Sequence, residues 1–156
     1  MQLVKPQPGD PAPDFSLQAD DGSTVSRESQ LGKRYVLYFY PKDDTTGCTA
    51  QACSMRDNFG RVTSTGIEVF GVSPDSVKSH VKFREKYDLP YRLLADTGHA
   101  VADAFGVWVD KTYMGRSYQG VERSSFIIGP DGRIEHVLER VKPMEHVDLI
   151  LDALAA

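Results

Sequence analysis

The chain has 156 residues, of which 40% are hydrophobic and 26% charged, and a formal net charge of -4. This length and composition predict one globular domain spanning 1–156 and exclude a disordered chain. A negative balance without a Lys/Arg cluster predicts no nucleic-acid partner. Because the sequence shows neither a signal-peptide pattern nor an apolar run long enough to cross a bilayer, we expect a cytoplasmic protein with no membrane partner.

The first half of the chain leads to a segment that holds both cysteines. Residues 1–13 are rich in Pro and Gly and are expected to follow the surface, and 24–32 is expected to be a loop or a short helical turn. The run 34–40 is apolar and aromatic without polar alternation, as in a strand buried on both faces. The predicted elements are a strand, a turn, the buried strand and a helix, at 14–18, 20–22, 34–40 and 49–62.

The second half of the chain alternates strands and helices and then forms a hairpin. Ser73 is expected to cap a helix that begins at Pro74. The segment 107–120 is expected to be irregular. The Gly-Pro-Asp-Gly turn at 129–132 joins two apolar runs. The predicted strands are 66–73, 91–95, 123–128 and 133–138, and the predicted helices are 74–87, 98–105 and 144–155.

The order of these elements predicts the fold class. Strands that alternate with helices pair in parallel through right-handed crossovers, and the late hairpin adds an antiparallel edge. We therefore expect an α/β protein with a thioredoxin-like fold, in which a central mixed β-sheet is flanked by helices.

Cys48 is the leading candidate for chemistry. It follows a buried strand and a short turn, and it lies in the first turn of the next helix if that helix begins near Thr46 or Gly47. Unpaired N–H groups and the helix dipole favour a thiolate there, and the thiolate is the nucleophile. Asp43 and Asp44 would oppose the thiolate unless both point to solvent. The alternative is that Cys48 is a small buried hydrophobic residue.

Cys53 lies five positions after Cys48 on the same predicted helix. Helix geometry puts Cα atoms at this spacing about 8.7 Å apart, whereas a disulfide requires less than about 7 Å. If the two sulfurs bond, the first helical turns must therefore unwind. A core thiol with no chemical role is an equally good interpretation of Cys53.

The motif from Pro41 to Cys48 resembles the Pro-x-x-x-Thr-x-x-Cys pattern of the peroxiredoxins. Similarity to the bacterioferritin comigratory protein, or peroxiredoxin Q, subgroup extends over nearly the whole chain, in segments at 11–15, 38–43, 47–57, 71–75, 86–90, 93–96, 105–108, 114–116, 123–126 and 129–134. Thr46 departs from the subgroup, which usually has Pro at this position.

This resemblance implies roles for individual residues. Cys48 would be the peroxidatic cysteine, and Cys53 would be the resolving cysteine that closes an intramolecular disulfide. Thr45 would hydrogen-bond the peroxide, Pro41 would shield the site from water, and Arg123 would hold the thiolate and the peroxide together. Gln51 occupies the family's acidic-or-amide position.

The implied function is that of a thiol-dependent peroxidase for hydrogen peroxide and organic hydroperoxides. It would use no metal, haem or flavin, would be recycled by thioredoxin or a glutaredoxin-like reductant, and would act as a monomer. One alternative is a thiol–disulfide oxidoreductase, which usually has Cys-x-x-Cys. Another is a binding module whose surface is switched by oxidation. His80, His99, His136 and His146 lack the spacing of metal ligands and are expected at the surface or in packing.

Overall fold

The computed structural model describes residues 5–155. Nine strands are assigned in this part of the chain: β1 (Ser16–Ala19), β2 (Thr24–Ser26), β3 (Tyr35–Phe39), β4 (Glu68–Ser73), β5 (Arg92–Ala95), β6 (Trp108–Tyr113), β7 (Arg116–Val121), β8 (Ser124–Ile128) and β9 (Ile134–Leu138). The helices are α1 (Thr46–Asp57), α2 (Phe59–Thr63), α3 (Val77–Tyr87), α4 (Ala100–Ala104) and α5 (His146–Ala155).

Seven strands form one mixed sheet in the order β2-β1-β5-β4-β3-β8-β9. The central strands β3, β4 and β5 are parallel, and β8 and β9 extend the sheet on the other side of β3 as an antiparallel hairpin. This arrangement confirms the predicted thioredoxin-like α/β fold with its mixed sheet and late hairpin.

Strand β3 divides the core into two layers because its side chains alternate between the faces of the sheet. Tyr35, Leu37 and Phe39 pack on one face with residues of β1 and α4. Val36 and Tyr38 pack on the other face, in the same cluster as Cys48 and residues of α1, α3 and α5. All five residues of β3 are buried, as the absence of polar alternation predicted.

Gly71 allows the sheet to pack closely at its centre. A Cβ atom at this position of β4 would lie 2.9 Å from Leu93 Cδ2 and 2.9 Å from the Tyr38 ring. Only glycine leaves room there for the Tyr38 side chain, which packs beneath α1. The Tyr38 and Tyr91 hydroxyls are 2.7 Å apart, and Tyr91 donates to the carbonyl of Ala52 at 3.3 Å.

The predicted start of α3 at Pro74 is wrong. Ser73 ends β4, and its hydroxyl exchanges hydrogen bonds with Asp75. The N-cap is Ser76, whose side-chain oxygen accepts from the backbone N–H of Ser79. Ser76, three residues after Ser73, therefore caps the free backbone N–H groups at the start of α3, the role predicted for Ser73. The helix predicted over 49–62 is likewise interrupted at Asn58 and begins earlier, at Thr46.

The prediction that the segment 107–120 is irregular is wrong, because β6 and β7 form an antiparallel hairpin there. Its turn is made by Met114 and Gly115, both with positive φ. Tyr113, Met114 and Tyr118 remain exposed. Since most of the hairpin residues contribute nothing to a buried face, the sequence lacks the alternation that would have revealed these strands. The short strand β2 falls in a segment expected to be a loop or helical turn.

Within residues 5–155, no helix has the length and apolar character required to cross a membrane.

Candidate active site

The site forms where β3 ends and α1 begins. Cys48 is the third residue of α1 and is 2% exposed, so its thiol lies at the N-terminal end of the helix and inside the core cluster at the same time. The helix begins at Thr46 and not at residue 49, which meets the condition for a thiol in its first turn. The macrodipole and the unpaired N–H groups of the first turn therefore act on the thiol, and both favour negative charge.

Arg123 brings a cation to the thiol from the residue that precedes β8. Its Nη2 atom donates to the Sγ atom of Cys48 at 3.4 Å, and its Nη1 atom donates to Gln51 Oε1 at 2.5 Å. Gln51 is buried one helical turn after Cys48, and its Nε2 atom has no hydrogen-bond partner among residues 5–155. The guanidinium is thus oriented by the same helix that carries the thiol.

Gly47 makes this approach possible. A Cβ atom at this position would lie 3.3 Å from Arg123 Nη2 and 3.5 Å from Pro143 Cγ. A contact of that length forces its neighbour to move by a few tenths of an ångström, so the absence of a side chain lets the guanidinium reach the sulfur.

Thr45 and Pro41 lie in the segment that leads into α1. The Thr45 hydroxyl donates to the carbonyl of Lys42 at 2.9 Å, and its side chain makes no cap for α1. Because its proton is used in this bond, the Thr45 oxygen can act as an acceptor toward a bound molecule. Pro41 is half-buried.

Cys53 is half-buried on α1, and both cysteines are free thiols. One uninterrupted helix carries them, so the distance estimate of about 8.7 Å between their Cα atoms applies. The C-terminal half of this helix is fastened to α3, since Arg56 donates to the carbonyl of Tyr87 at 2.7 Å. Arg56 also pairs with Asp57.

The condition that both aspartates point to solvent is met by Asp44 and not by Asp43. Asp44 is exposed and accepts from Lys86 and Tyr87. Asp43 is buried and turns toward α3, where its carboxylate contacts His80 Nδ1 at 2.7 Å. Local sequence pattern could not predict this pair, because the two residues are 37 positions apart.

His80 and His146 are buried, in agreement with a packing role. The ligand atoms of Asp43, Asp75 and His80 lie within 4.8 Å of one another, a grouping that the scattered histidines did not predict. His146 Nε2 lies 2.7 Å from the Ser125 hydroxyl, two residues after Arg123. Burial, reinforced by Arg123, lowers the pKa of His146 to about 3, so its ring is neutral beneath the site.

Lys111 is a cation near the site that the sequence did not single out. It lies on β6, and its pKa is lowered first by burial and then by the charge of Arg123. Its place in the hairpin could not be inferred, because the segment was expected to be irregular.

A buried thiol at a helix start, with a guanidinium donor and a second thiol on the same helix, defines a thiol-based redox enzyme on a thioredoxin-like fold. The model of the AhpC/TSA family matches residues 8–137. The chain is 44% identical over 146 residues to Peroxiredoxin Bcp of Escherichia coli (strain K12), covering 94% of each chain. It is 45% identical over 146 residues to Peroxiredoxin Bcp of Bacillus subtilis (strain 168), covering 94% of this chain and 93% of that one.

Solved structures agree with this similarity. Peroxiredoxin Q of Xanthomonas campestris superposes with a TM-score of 0.87 at 33% identity, covering 99% of this chain and 98% of that one. The bacterioferritin comigratory protein of the same organism, solved in work on its alkyl peroxide reduction activity, superposes with a TM-score of 0.86 at 33% identity. The match covers 97% of this chain and 96% of that one.

The chain belongs to the AhpC/TSA family. Within it, the bacterioferritin comigratory protein, or peroxiredoxin Q, subgroup predicted from the sequence is confirmed. It is a thiol peroxidase, an oxidoreductase that reduces peroxides.

Proposed function

We propose that Cys48 is the peroxidatic cysteine and Cys53 the resolving cysteine of this peroxidase. The observation that carries the first assignment is the contact between Arg123 Nη2 and Cys48 Sγ at 3.4 Å, at the N-terminus of α1. A thiolate attacking a peroxide requires a hydrogen-bond donor at the point where charge develops, and Arg123 supplies it.

In the first step the Cys48 thiolate attacks one peroxide oxygen. An S–O bond forms and the O–O bond breaks; the electron pair leaves with the second oxygen, which takes a proton and departs as water or an alcohol. Arg123 donates to the oxygen that gains charge, and Thr45 accepts a hydrogen bond from the peroxide. Pro41 shields the site from water, so that the interactions of the charged groups are strong.

In the second step Cys53 attacks the sulfur of the Cys48 sulfenic acid. The S–S bond forms, the S–O bond breaks, and the released hydroxide is protonated to water. Because the two residues lie on one continuous helix, this step requires the first turns of α1 to unwind. A second thiol close by captures the sulfenic acid before further oxidation.

The substrates we propose are hydrogen peroxide and organic hydroperoxides, supported by the alkyl peroxide reduction named for the Xanthomonas campestris relative. Thioredoxin or a glutaredoxin-like protein would return the disulfide to two thiols. The protein would work in the cytoplasm as one domain spanning 1–156 and as a monomer, since both proposed thiols belong to one chain.

The assignment is tested by mass spectrometry after one equivalent of hydrogen peroxide. We expect an intrachain Cys48–Cys53 disulfide in the native protein, no peroxide consumption by Cys48→Ser, and a single rapid oxidation by Cys53→Ser. Repeated consumption with thioredoxin and its reductase marks the enzyme, whereas one equivalent consumed without recycling would indicate a redox-switched binding module. Normal thioredoxin-driven turnover of Cys53→Ser would refute its resolving role.

A further inference from the structure

The segment before Cys48 is fastened to α3 through Asp43, which is five residues away from the thiol in sequence. Its carboxylate accepts from the Tyr40 hydroxyl at 2.6 Å, from Ser79 Oγ at 2.8 Å and from His80 Nδ1 at 2.7 Å. Its backbone N–H donates to Asp75 Oδ2 at 2.8 Å. The carboxylate thus joins the end of β3 to the first turn of α3.

The polar side chains of this cluster all have partners. Both ring nitrogens of His80 face acceptors, since Nδ1 contacts the Asp43 carboxylate and Nε2 lies 3.0 Å from the carbonyl of Leu94. The ring is therefore held between two partners, one in the segment before α1 and the other on β5. Asp75, the second carboxylate, accepts from the Ser73 hydroxyl and from the backbone of Asp43.

The N-cap residue of α1 gives the helix start no comparable fastening. Thr45 makes no side-chain cap, and its hydroxyl is used on Lys42. A helix start without a side-chain cap is less stable than a capped one. The position of Cys48 relative to Arg123 therefore depends on how firmly the residues before Thr45 are held.

We propose that Asp43, held by His80 and Ser79, is a positioning residue that fixes the start of α1 in the conformation that reacts with peroxide. We call these contacts the Asp43 anchor. The inference rests on the proposed role of Cys48. Without the anchor, residues 41–45 can move together with the first turn of α1, so Cys48 leaves the guanidinium more often.

The rates of the two chemical steps should then respond differently. Attack on peroxide slows, because it requires Cys48 beside Arg123. Capture by Cys53 does not slow, because it requires the first turn to unwind. Fewer sulfenic groups therefore meet a second peroxide, a reaction that forms a second S–O bond, breaks the O–O bond and yields sulfinic acid and water.

The test compares the native protein with His80→Phe, which removes the ring nitrogen that contacts the Asp43 carboxylate. The readouts are the second-order rate constant for the first oxidation of Cys48, and the peroxide concentration at which half of Cys48 becomes sulfinic acid. We expect the rate constant to fall about 10-fold, as for a misplaced reacting group, and the half-sulfinic concentration to rise.

Two further variants separate position from stability. His80→Asn keeps an amide donor for Asp43 and loses the contact with Leu94, so it should recover most of the oxidation rate even if it is less stable. Leu89→Ala leaves a cavity in the core beyond the C-terminal end of α3, so it should lower stability and leave both readouts unchanged.

If His80→Phe does not fold, Ser79→Ala removes one donor to Asp43 and should slow oxidation about two- to threefold, the effect of one hydrogen bond worth about 0.5 kcal/mol.

An unchanged oxidation rate in His80→Phe would overturn the anchor, and so would equal changes in His80→Phe and Leu89→Ala. Ser79→Ala without effect would overturn it where it replaces His80→Phe. The proposed function fails in a different way: a native protein that reduces peroxide without forming the Cys48–Cys53 disulfide would refute only the partner assigned to Cys48.

Discussion

The segments on the two sides of Thr45 are held by different kinds of contact. Residues 41–44 are attached to α3, with Asp43 bound to its first turn and Asp44 to its last. The first turn of α1 begins with Thr46, Gly47, Cys48 and Thr49, which are poor helix formers by about 0.5–1 kcal/mol each. Tertiary contacts thus fix the entrance to the helix and leave its first turn weak, which suits a turn that forms for attack and unwinds for disulfide formation.

Removing the guanidinium of Arg123, which donates to Cys48 in the first turn of α1, should reduce the oxidation rate more than any other change. Arg123→Met should lower the second-order rate constant for Cys48 oxidation by about 10²–10³, as the loss of a transition-state donor does. Arg123→Lys should recover only part of this rate, because an ammonium cannot bind the sulfur and Gln51 together in the geometry of the guanidinium. A loss below threefold in Arg123→Met, measured by stopped flow, would contradict the assignment.

Gly47→Ala tests the close approach at the same turn. The added methyl group crowds Arg123 Nη2, so we expect oxidation to slow about 10-fold through misplacement of the guanidinium. The matched control is Gly60→Ala in α2, where a Cβ atom meets nothing within 4 Å and the rate should be native. Equal rates in Gly47→Ala and Gly60→Ala would show that the approach is not constrained.

The stability of the folded protein should decrease in acid because of His146, which is buried beneath the site. The folded-state pKa of His146 is lowered to about 3 from 6.5, so between these values the unfolded chain binds a proton that the folded protein does not. Stability should therefore fall as pH decreases below 6.5, at up to about 1.4 kcal/mol per pH unit. Urea unfolding between pH 7.5 and 4.5 measures it, and His146→Gln should lack this part of the slope. An identical slope in His146→Gln would contradict the buried neutral ring.

The smallest effect concerns the departure from the subgroup at Thr46. This residue is the first of α1, where proline is favoured because its missing N–H would have no intrahelical partner. Thr46→Pro should stabilise the folded turn by about 0.4–1 kcal/mol, and so slow disulfide formation by about two- to fivefold while attack on peroxide stays native. Faster disulfide formation, followed by mass spectrometry of quenched samples, would show that the turn does not limit this step.

The local structure on both sides of Thr45 could largely be predicted from the sequence. The buried strand before the motif, the helix start near Thr46 and the five-residue spacing of the cysteines follow from local pattern, and they already imply a helix that must unwind. Arg123 was a candidate only through resemblance to a family, because a cation at the start of a strand is ordinary in itself. The contact of Asp43 with His80 joins residues 37 positions apart, and local pattern carries no information about such a pair. The β6–β7 hairpin was missed because too few of its residues face the core to impose alternation.

Amide hydrogen exchange in the reduced and the oxidised protein shows whether the first turn of α1 unwinds while the segment before it stays in place. On formation of the Cys48–Cys53 disulfide, we expect amides 49–53 to lose at least about 10-fold in protection, the sign of local unfolding. The amide of Asp43, which donates to Asp75, should keep its protection. Preserved protection of 49–53 in the disulfide form, or a parallel loss at Asp43, would contradict a fixed entrance followed by a turn that unwinds.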